Sequence, residues 1–242
     1  MAKKTASKKA GIAGGAPETG DLLVAGGGYV GLCVGLAVKT AAPHLSVTVV
    51  DIAPANAALS DTRASAIAAA ATRMLQRLGA WDELAPNAQP INEMIVTDSR
   101  LHDVVRPVFL TFGDERAQGE PFAHMVANRD LVTALRRRCD EAGVELLNGE
   151  RVTGFDNRDG SMHVILGSGE TRKAKLLVAC DGAKSQLRDL AGIRTVHWPY
   201  GQSGIVATVL HERDHEGRAE EHFLPAGPFA ILPLKGNRSS LV

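Results

Sequence analysis

Apolar and polar positions in the first eighty residues follow two periods, one typical of strands and one typical of helices. Residues 22–25 and 46–50 are short apolar runs with the length of buried strands, and a stretch of helical character lies between them. Apolar residues then recur at helical spacing, with Gly79 as a stop signal, at Ile67, Ala71, Met74, Leu75 and Leu78. The pattern predicts a β–α–β unit followed by a second helix.

The rest of the chain predicts one long helix among many strands. The helix begins at Asn128, which we expect to cap it, carries Leu131, Leu135 and Cys139 on one face, and ends at Gly143. A buried strand is predicted over residues 174–180. Further strands are predicted over residues 91–97, 104–112, 144–147, 151–155, 162–166, 205–210, 221–224, 229–234 and 239–242. Strands that alternate with helices, followed by strands alone, favour an α/β domain joined to a mostly antiparallel β domain.

A glycine-rich turn follows the first apolar run and predicts a dinucleotide site. The turn has the spacing Gly26-x-Gly28-x-x-Gly31, and Asp51 ends the second apolar run. In this arrangement Gly26 allows a tight turn, Gly28 lets the backbone approach a pyrophosphate, and Gly31 lets the helix pack close to the sheet. The helix N-terminus attracts phosphate, and an acid at position 51 can accept hydrogen bonds from ribose hydroxyls.

Two other positions each allow a structural and a ligand-binding interpretation. Asp181-Gly182 follows the predicted buried strand, where Asp181 either caps the next helix or contacts a ligand at the carboxyl end of the sheet. Arg129 lies in the first turn of the predicted helix. An arginine there opposes the helix dipole, so it is either a tolerated surface residue or the partner of an anion.

Composition and charge exclude several classes of protein. The 242 residues include 27 basic and 27 acidic side chains, so no overall field favours nucleic acid. We find neither a membrane span nor a signal peptide, and we expect the three cysteines to be reduced, buried thiols in a cytoplasm. His211 and His215 fall in a charged stretch that reads as a hairpin tip, so we predict no metal site.

Three separated elements resemble one family, the flavin-dependent aromatic hydroxylases, or class A flavoprotein monooxygenases. They are the glycine turn with Asp51, residues 179–188 around Asp181-Gly182, and residues 128–131 with Arg129. Within that family, residues 61–67, 79–81, 227–234 and 238–240 most resemble the ubiquinone-biosynthesis hydroxylases. The resemblance covers residues 21–242.

The resemblance implies the fold, the domains and the cofactor. The fold is α/β, with a doubly wound, Rossmann-like FAD-binding domain over residues 21–90 and 122–196. A mostly antiparallel β substrate domain, truncated at the C-terminus, covers residues 91–121 and 197–242. Outside the resemblance, residues 1–20 are rich in Ala, Gly and Lys with almost no large apolar residue, so composition predicts a disordered tail. NADH or NADPH is the transient reductant, and no catalytic acid or base is assigned. The implied FAD-binding residues are Gly26, Gly28, Gly31, Asp51, Arg63, Arg129, Asp181 and Gly182.

The implied reaction is hydroxylation of a polyprenylated phenol ring in ubiquinone biosynthesis, with O₂ as co-substrate. Such a substrate implies contact of a cytoplasmic protein with the periphery of the inner membrane, or membership of a biosynthetic complex. Five phenylalanines are candidates to line an apolar channel, with core packing as the alternative: Phe109, Phe112, Phe122, Phe223 and Phe229.

Two alternatives to the hydroxylase remain open. One is an NAD-dependent Rossmann dehydrogenase that uses Asp51 for the NAD ribose. The other is a truncated, non-catalytic scaffold in a biosynthetic complex, because the chain ends within a predicted strand and lacks the family's second FAD motif, a Gly-Asp element. We therefore expect the natural protein to continue beyond Val242.

Overall fold

A computed structural model describes residues 19–113 and 121–242 of the chain. Residues 1–18 of the predicted disordered tail, and residues 114–120 of the predicted substrate domain, lie outside the described residues. Within the described ranges, no helix is long and apolar enough to cross a membrane.

The first sheet has six strands, in the spatial order β8-β2-β1-β11-β10-β9. Its first four strands are parallel, and β10 and β9 continue the sheet in antiparallel pairing. The strands are β1 (Gly20–Ala25), β2 (Val47–Asp51), β8 (Glu145–Asn148), β9 (Val152–Arg158), β10 (Ser161–Leu166) and β11 (Thr171–Ala179). Because β1, β2 and β11 are parallel, their carboxyl ends meet at one edge, where open α/β sheets bind ligands.

Four helices cover one face of this sheet, and a short helix packs on the other. One apolar cluster packs the sheet against α1 (Tyr29–Ala41), α2 (Ala69–Arg77), α3 (Trp81–Leu84) and α4 (Asn128–Ala142). A second cluster joins residues of the sheet's own strands, such as Val164 of β10, with Leu187 of α5 (Gln186–Leu190). Leu131, Leu135 and Cys139 of α4 are buried together as predicted, and Gly143 ends the helix with a φ of 77°.

The later strands form a mostly antiparallel second sheet, in the order β12-β15-β14-β13-β5-β6. They are β5 (Glu93–Asp98), β6 (Val108–Phe112), β12 (Ala207–Leu210), β13 (Arg218–Leu224), β14 (Gly227–Leu234) and β15 (Arg238–Leu241). A three-stranded sheet contains β3 (Ala64–Ala68), β7 (Ala123–Ala127) and β4 (Gln89–Ile91). A small core of Ile91, Ala123, Met125 and Ala219 joins these two sheets. The predicted α/β Rossmann-like fold with an additional β part is confirmed, and the division at residues 90, 121 and 196 stays a prediction.

Several local predictions are wrong because long-range pairing overrides local pattern. Ile67 belongs to β3, opposite His124 of β7, and not to the helix that its spacing suggested. The predicted buried strand is buried only in part, since Leu176 is 56% exposed and only Val178 and Cys180 of that segment pack against the helical cluster. The stretch from His211 is no hairpin tip, because β12 pairs with β15 and β13 pairs with β14.

Candidate functional site

Two glycines of the turn between β1 and α1 are required by the protein's own backbone. A Cβ atom added at Gly26 would lie 2.2 Å from the carbonyl oxygen of Cys180, and the φ of Gly26 is +107°. A Cβ atom added at Gly31 would lie 1.8 Å from the carbonyl oxygen of Gly26. Real Cβ atoms do not approach other atoms this closely, so both positions need glycine for the turn and helix to pack at all.

Gly28 is different, because no contact or strain within residues 19–113 and 121–242 requires it to be glycine. Its backbone is extended, with φ −68° and ψ 174°, and no atom of those residues lies within 4 Å of an added Cβ. It is the N-cap residue of α1, whose first turn carries no acidic residue. A glycine at an unstrained position beside open space fits a backbone that a phosphate approaches closely. The fit of a dinucleotide rests on this open space beside Gly28 at the N-terminus of α1.

Asp51 lies at the end of β2, beside the glycine turn. Its Oδ1 accepts a hydrogen bond of 2.8 Å from the backbone N–H of Ala53. A Cβ atom added at Gly27 would lie 2.6 Å from Oδ2 of Asp51. Gly27, which the motif leaves unspecified, therefore lets the Asp51 carboxylate approach the turn, and the sequence analysis missed this function.

Three cavities share lining residues from one to the next, and the first two reach the carboxyl edge of the first sheet. The first, of about 360 Å³, is lined by Gly26, Gly28, Asp51, Asp181 and Gly182 among others. The second, of about 420 Å³, shares Gly28 and Asp51 with the first and adds Asp61 and Arg63. The third, of about 310 Å³, shares Asp61 with the second and adds Arg129. Because each cavity shares lining residues with the next, we call the three cavities together the groove.

Asp181 forms hydrogen bonds within the loop after β11 and also lines the groove. Its Oδ1 accepts a 2.5 Å hydrogen bond from the Ser185 hydroxyl, and its Oδ2 accepts one of 3.3 Å from the backbone N–H of Leu187. The N-cap of α5 is Ser185, whose hydroxyl accepts from the N–H of Arg188 at 3.0 Å. Asp181 therefore supports the cap without being the cap. Gly182 has a φ of +91°, which favours glycine.

The two predicted arginines lie in different parts of the groove. Arg63, in the second cavity, forms a bidentate salt bridge with Asp61, with its Nε 2.9 Å from Oδ1 and its Nη2 2.8 Å from Oδ2. Arg129, in the third cavity, is exposed, with its Nε 3.3 Å from Oδ1 of Asp130. The structure thus brings seven of the eight predicted residues to the walls of one groove. Gly31 lies under the turn and lines none of the three cavities.

Asn128 does not cap α4, contrary to the sequence prediction. The N-cap residue is Ala127, and the Asn128 side chain has two other partners. Its Oδ1 accepts from the Ser65 hydroxyl at 2.7 Å, and its Nδ2 donates to Oδ2 of Asp61 at 3.2 Å. Asn128 therefore ties the start of α4 to β3 and to the segment before it.

Two cationic side chains and a thiol in the first cavity were not predicted as site residues. Arg151 and Lys184 line this cavity. Lys184 lies three residues after Asp181, which could have marked it as a site residue, whereas no sequence signal marks Arg151. Cys180 also lines it, and burial, followed by the nearby Asp181, raises the pKa of its thiol. The three cysteines are free thiols; only Cys139 is fully buried, so the prediction of burial is wrong for Cys33 and Cys180.

The two histidines of the charged stretch form hydrogen bonds with β14 and β15. Their ring centroids lie 5.9 Å apart, and Nε2 of His215 contacts the carbonyl oxygen of Leu234 at 2.9 Å. Nε2 of His211 contacts the Ser239 hydroxyl at 3.0 Å. In the part of the chain that the structure describes, no three His, Cys, Asp or Glu side chains are grouped so that they could hold a metal ion.

Comparisons with known proteins agree with this geometry. A family model described as FAD binding domain matches residues 19–239. Ubiquinone hydroxylase UbiL of Rhodospirillum rubrum is 43% identical over 235 residues, which cover 96% of this chain and 53% of that protein. The 3-demethoxyubiquinol 3-hydroxylase of Escherichia coli (strain K12) is 32% identical over 228 residues, covering 92% of this chain and 56% of that protein.

Solved structures show the same fold. PqsL, a probable FAD-dependent monooxygenase from Pseudomonas aeruginosa, superposes with a TM-score of 0.76 at 20% identity, over 93% of this chain and 60% of that one. The chain spans about half the length of the curated relatives it matches. With a family match over residues 19–239, the chain belongs to the FAD-binding domain family of flavoproteins.

Proposed function

We propose that this chain forms the FAD-binding part of a monooxygenase that hydroxylates a polyprenylated phenol ring in ubiquinone biosynthesis. NADH or NADPH supplies the electrons, and O₂ supplies the oxygen. The single observation that carries the proposal is the open Cβ position of Gly28 in the groove, in a chain of the FAD-binding family.

The groove offers FAD a distinct set of contacts along its length. The backbone at Gly28 and the N-terminus of α1 suit the pyrophosphate, and the Asp51 carboxylate suits ribose hydroxyls. Gly26 and Gly31 shape the turn that presents these groups. Arg63 and Arg129 supply positive charge in the second and third cavities, and Asp181 with Gly182 closes the first.

When bound, FAD would take two electrons from the nicotinamide and activate O₂, so that one oxygen atom enters the ring and the other leaves as water. The chain's own residues bind and orient the cofactor and exclude water from it. We assign no side chain as a catalytic acid or base.

The substrate class rests on the names of the relatives and on apolar surface of the second sheet. The two relatives are named as hydroxylases of ubiquinone and of 3-demethoxyubiquinol. Phe112 and Phe223 are 39% and 48% exposed, and the ring of Phe112 lies 6.1 Å from that of Phe122. Phe112 and Phe223 lie on β6 and β13, the two strands that flank β5, and exposed phenylalanines there can accept a prenyl chain, which resides in a membrane.

We further propose a cytoplasmic protein at the periphery of the inner membrane, alone or in a biosynthetic complex. The three free thiols suit a reducing compartment. A lipid-soluble substrate would require the protein to reach the bilayer surface.

The purified protein tests the proposal and separates it from its alternatives. A yellow protein with one FAD, which consumes O₂ and reduced nicotinamide and adds one oxygen atom to a prenylated phenol, would support the hydroxylase. A colourless protein that binds NAD would support the dehydrogenase, which Asp51 alone also allows. A protein that binds neither cofactor would support the scaffold.

A further inference from the structure

A cluster around Asp61 connects residues 61–65 with Asn128 of α4, at the boundary between the second and third cavities. Asp61 lines both cavities, and its carboxylate receives the Arg63 guanidinium on one side and the Asn128 amide on the other. The backbone N–H of Arg63 also donates to Oδ1 of Asp61 at 3.0 Å. A single carboxylate thus accepts four hydrogen bonds from two residues.

Asn128 holds this carboxylate in place from the buried side. The Asn128 residue is 8% exposed, and its backbone N–H donates to the carbonyl oxygen of Arg63 at 2.9 Å. Its amide nitrogen donates to Asp61, and its amide oxygen accepts from Ser65. Because each polar group of Asn128 has a partner, the amide cannot rotate without leaving a buried group unpaired.

Arg63 is held by this cluster, yet its side chain remains 68% exposed. Its Nε and one Nη2 proton bind Asp61, so three of its five N–H groups have no partner in the described ranges 19–113 and 121–242. The side chain lines the second cavity with Gly28 and Asp51. Hydrogen bonds from Arg63, above all other causes, keep the pKa of Asp61 well below its ordinary value, so the carboxylate is ionised.

We propose that Asp61 and Asn128 are positioning residues that fix the Arg63 guanidinium on the wall of the groove, where it pairs with the cofactor's anionic pyrophosphate. The inference rests on the proposed binding of FAD. A free arginine on the surface loses conformational entropy when it binds an anion, whereas an arginine already held by a two-pronged carboxylate loses less. The acidic wall of the groove at Asp51 and Asp61 also needs a cation if it is to accept an anion.

A double-mutant cycle in the full chain tests the proposal. Flavin is removed from the protein, FAD is added back, and the dissociation constant is measured by quenching of flavin fluorescence for wild type, Asp61→Asn, Arg63→Ala and the double variant. Asp156→Asn is the matched control, because Asp156 and Arg158 form the same kind of pair, two residues apart at 2.8 Å, on β9. Thermal unfolding is measured for every variant.

We expect Arg63→Ala to weaken FAD binding about tenfold and Asp61→Asn roughly three- to tenfold, as for exposed charge-assisted contacts. The double variant should bind no more weakly than Arg63→Ala, since Asp61 acts through Arg63, and Asp156→Asn should bind as wild type does. If Asp61→Asn does not fold, Arg63→Lys provides the test, because lysine is cationic but lacks the fork that Asp61 holds. It should also weaken binding.

The outcomes separate this inference from the proposed function. Additive losses in the double variant, or wild-type affinity in Asp61→Asn and in Arg63→Lys, would overturn the positioning role while FAD binding stands. Tighter binding in Asp61→Asn would mean that Asp61 withholds Arg63 from the cofactor, which also overturns it. Failure of the wild-type chain to bind FAD would overturn both the inference and the proposed function.

Discussion

A valine at position 28 is expected to abolish FAD binding and to leave the chain folded. Gly28 has an extended backbone, and no atom of the described residues lies within 4 Å of an added Cβ, so we expect valine to fit there without a clash. Valine is a poor N-cap, which costs about 1 kcal/mol and lowers the Tm of a domain of this size by roughly 2–4 °C. Its branched side chain enters the first and second cavities, which Gly28 lines. Loss of two charge-assisted N–H contacts to the pyrophosphate, at ~1.5–3 kcal/mol each, weakens binding by more than 100-fold.

Flavin content, far-UV circular dichroism and thermal unfolding of the full chain measure both effects. Gly31→Ala is the matched comparison, because its Cβ would lie 1.8 Å from the Gly26 carbonyl oxygen. We expect Gly31→Ala to lose stability by about 1–3 kcal/mol or more, as overpacked positions do, and so to unfold well below Gly28→Val. Stoichiometric FAD in Gly28→Val would refute the assignment of the open space beside Gly28 to the pyrophosphate.

Three other predictions follow from particular contacts. Asp51→Ala should weaken FAD binding roughly 10- to 150-fold through loss of a charge-assisted hydrogen bond to ribose, and an unchanged dissociation constant would show that Asp51 does not touch the cofactor. Asp181→Asn should keep the fold, because Ser185 is the N-cap of α5. The variant should nevertheless slow the reduction of flavin by nicotinamide at least ~10-fold, as measured by anaerobic stopped flow. Wild-type reduction rates would show that Asp181 only supports the cap. A hydrogen bond from Lys175, followed by those from Ser46, lowers the pKa of Asp21 to about 2. Asp21 therefore stabilises the folded state at a pH above its unfolded pKa of ~3.9 and loses that contribution as the pH falls to about 2. The difference in Tm between wild type and Asp21→Asn should vanish over that pH range. A Tm difference that does not change with pH would contradict this role of Asp21.

The glycine turn could be predicted because its requirements are local. Three glycines at fixed spacing and an acid at the end of the next strand all belong to one β–α–β unit, and the structure places them together. The motif nevertheless treats its glycines as equivalent, whereas backbone contacts require Gly26 and Gly31, and an added Cβ at Gly28 would face open space. Only the folded structure separates these cases, and it also adds Gly27, whose partner Asp51 lies 24 positions away.

The local sequence pattern could not predict which strands pair with each other. The spacing of Ile67 suits a helix, but the segment instead pairs along one edge with β7, more than fifty positions later. The parallel pair of β5 and β13 likewise joins segments more than one hundred residues apart. Loop closure over such distances leaves no local signature, because the pairing depends on what the rest of the chain leaves available.

Asn128 shows the same limit at the candidate site. An Asn before an apolar helical face predicts an N-cap, since its side chain can satisfy the free N–H groups of the first turn. In the structure the same side chain instead contacts Ser65, 63 positions away, and Asp61, 67 positions away. Both uses satisfy the amide, but only the second also fixes the carboxylate that holds Arg63. A local pattern can therefore identify a residue that lines a candidate site while assigning it the wrong partner, because the true partners lie more than sixty positions away in the sequence.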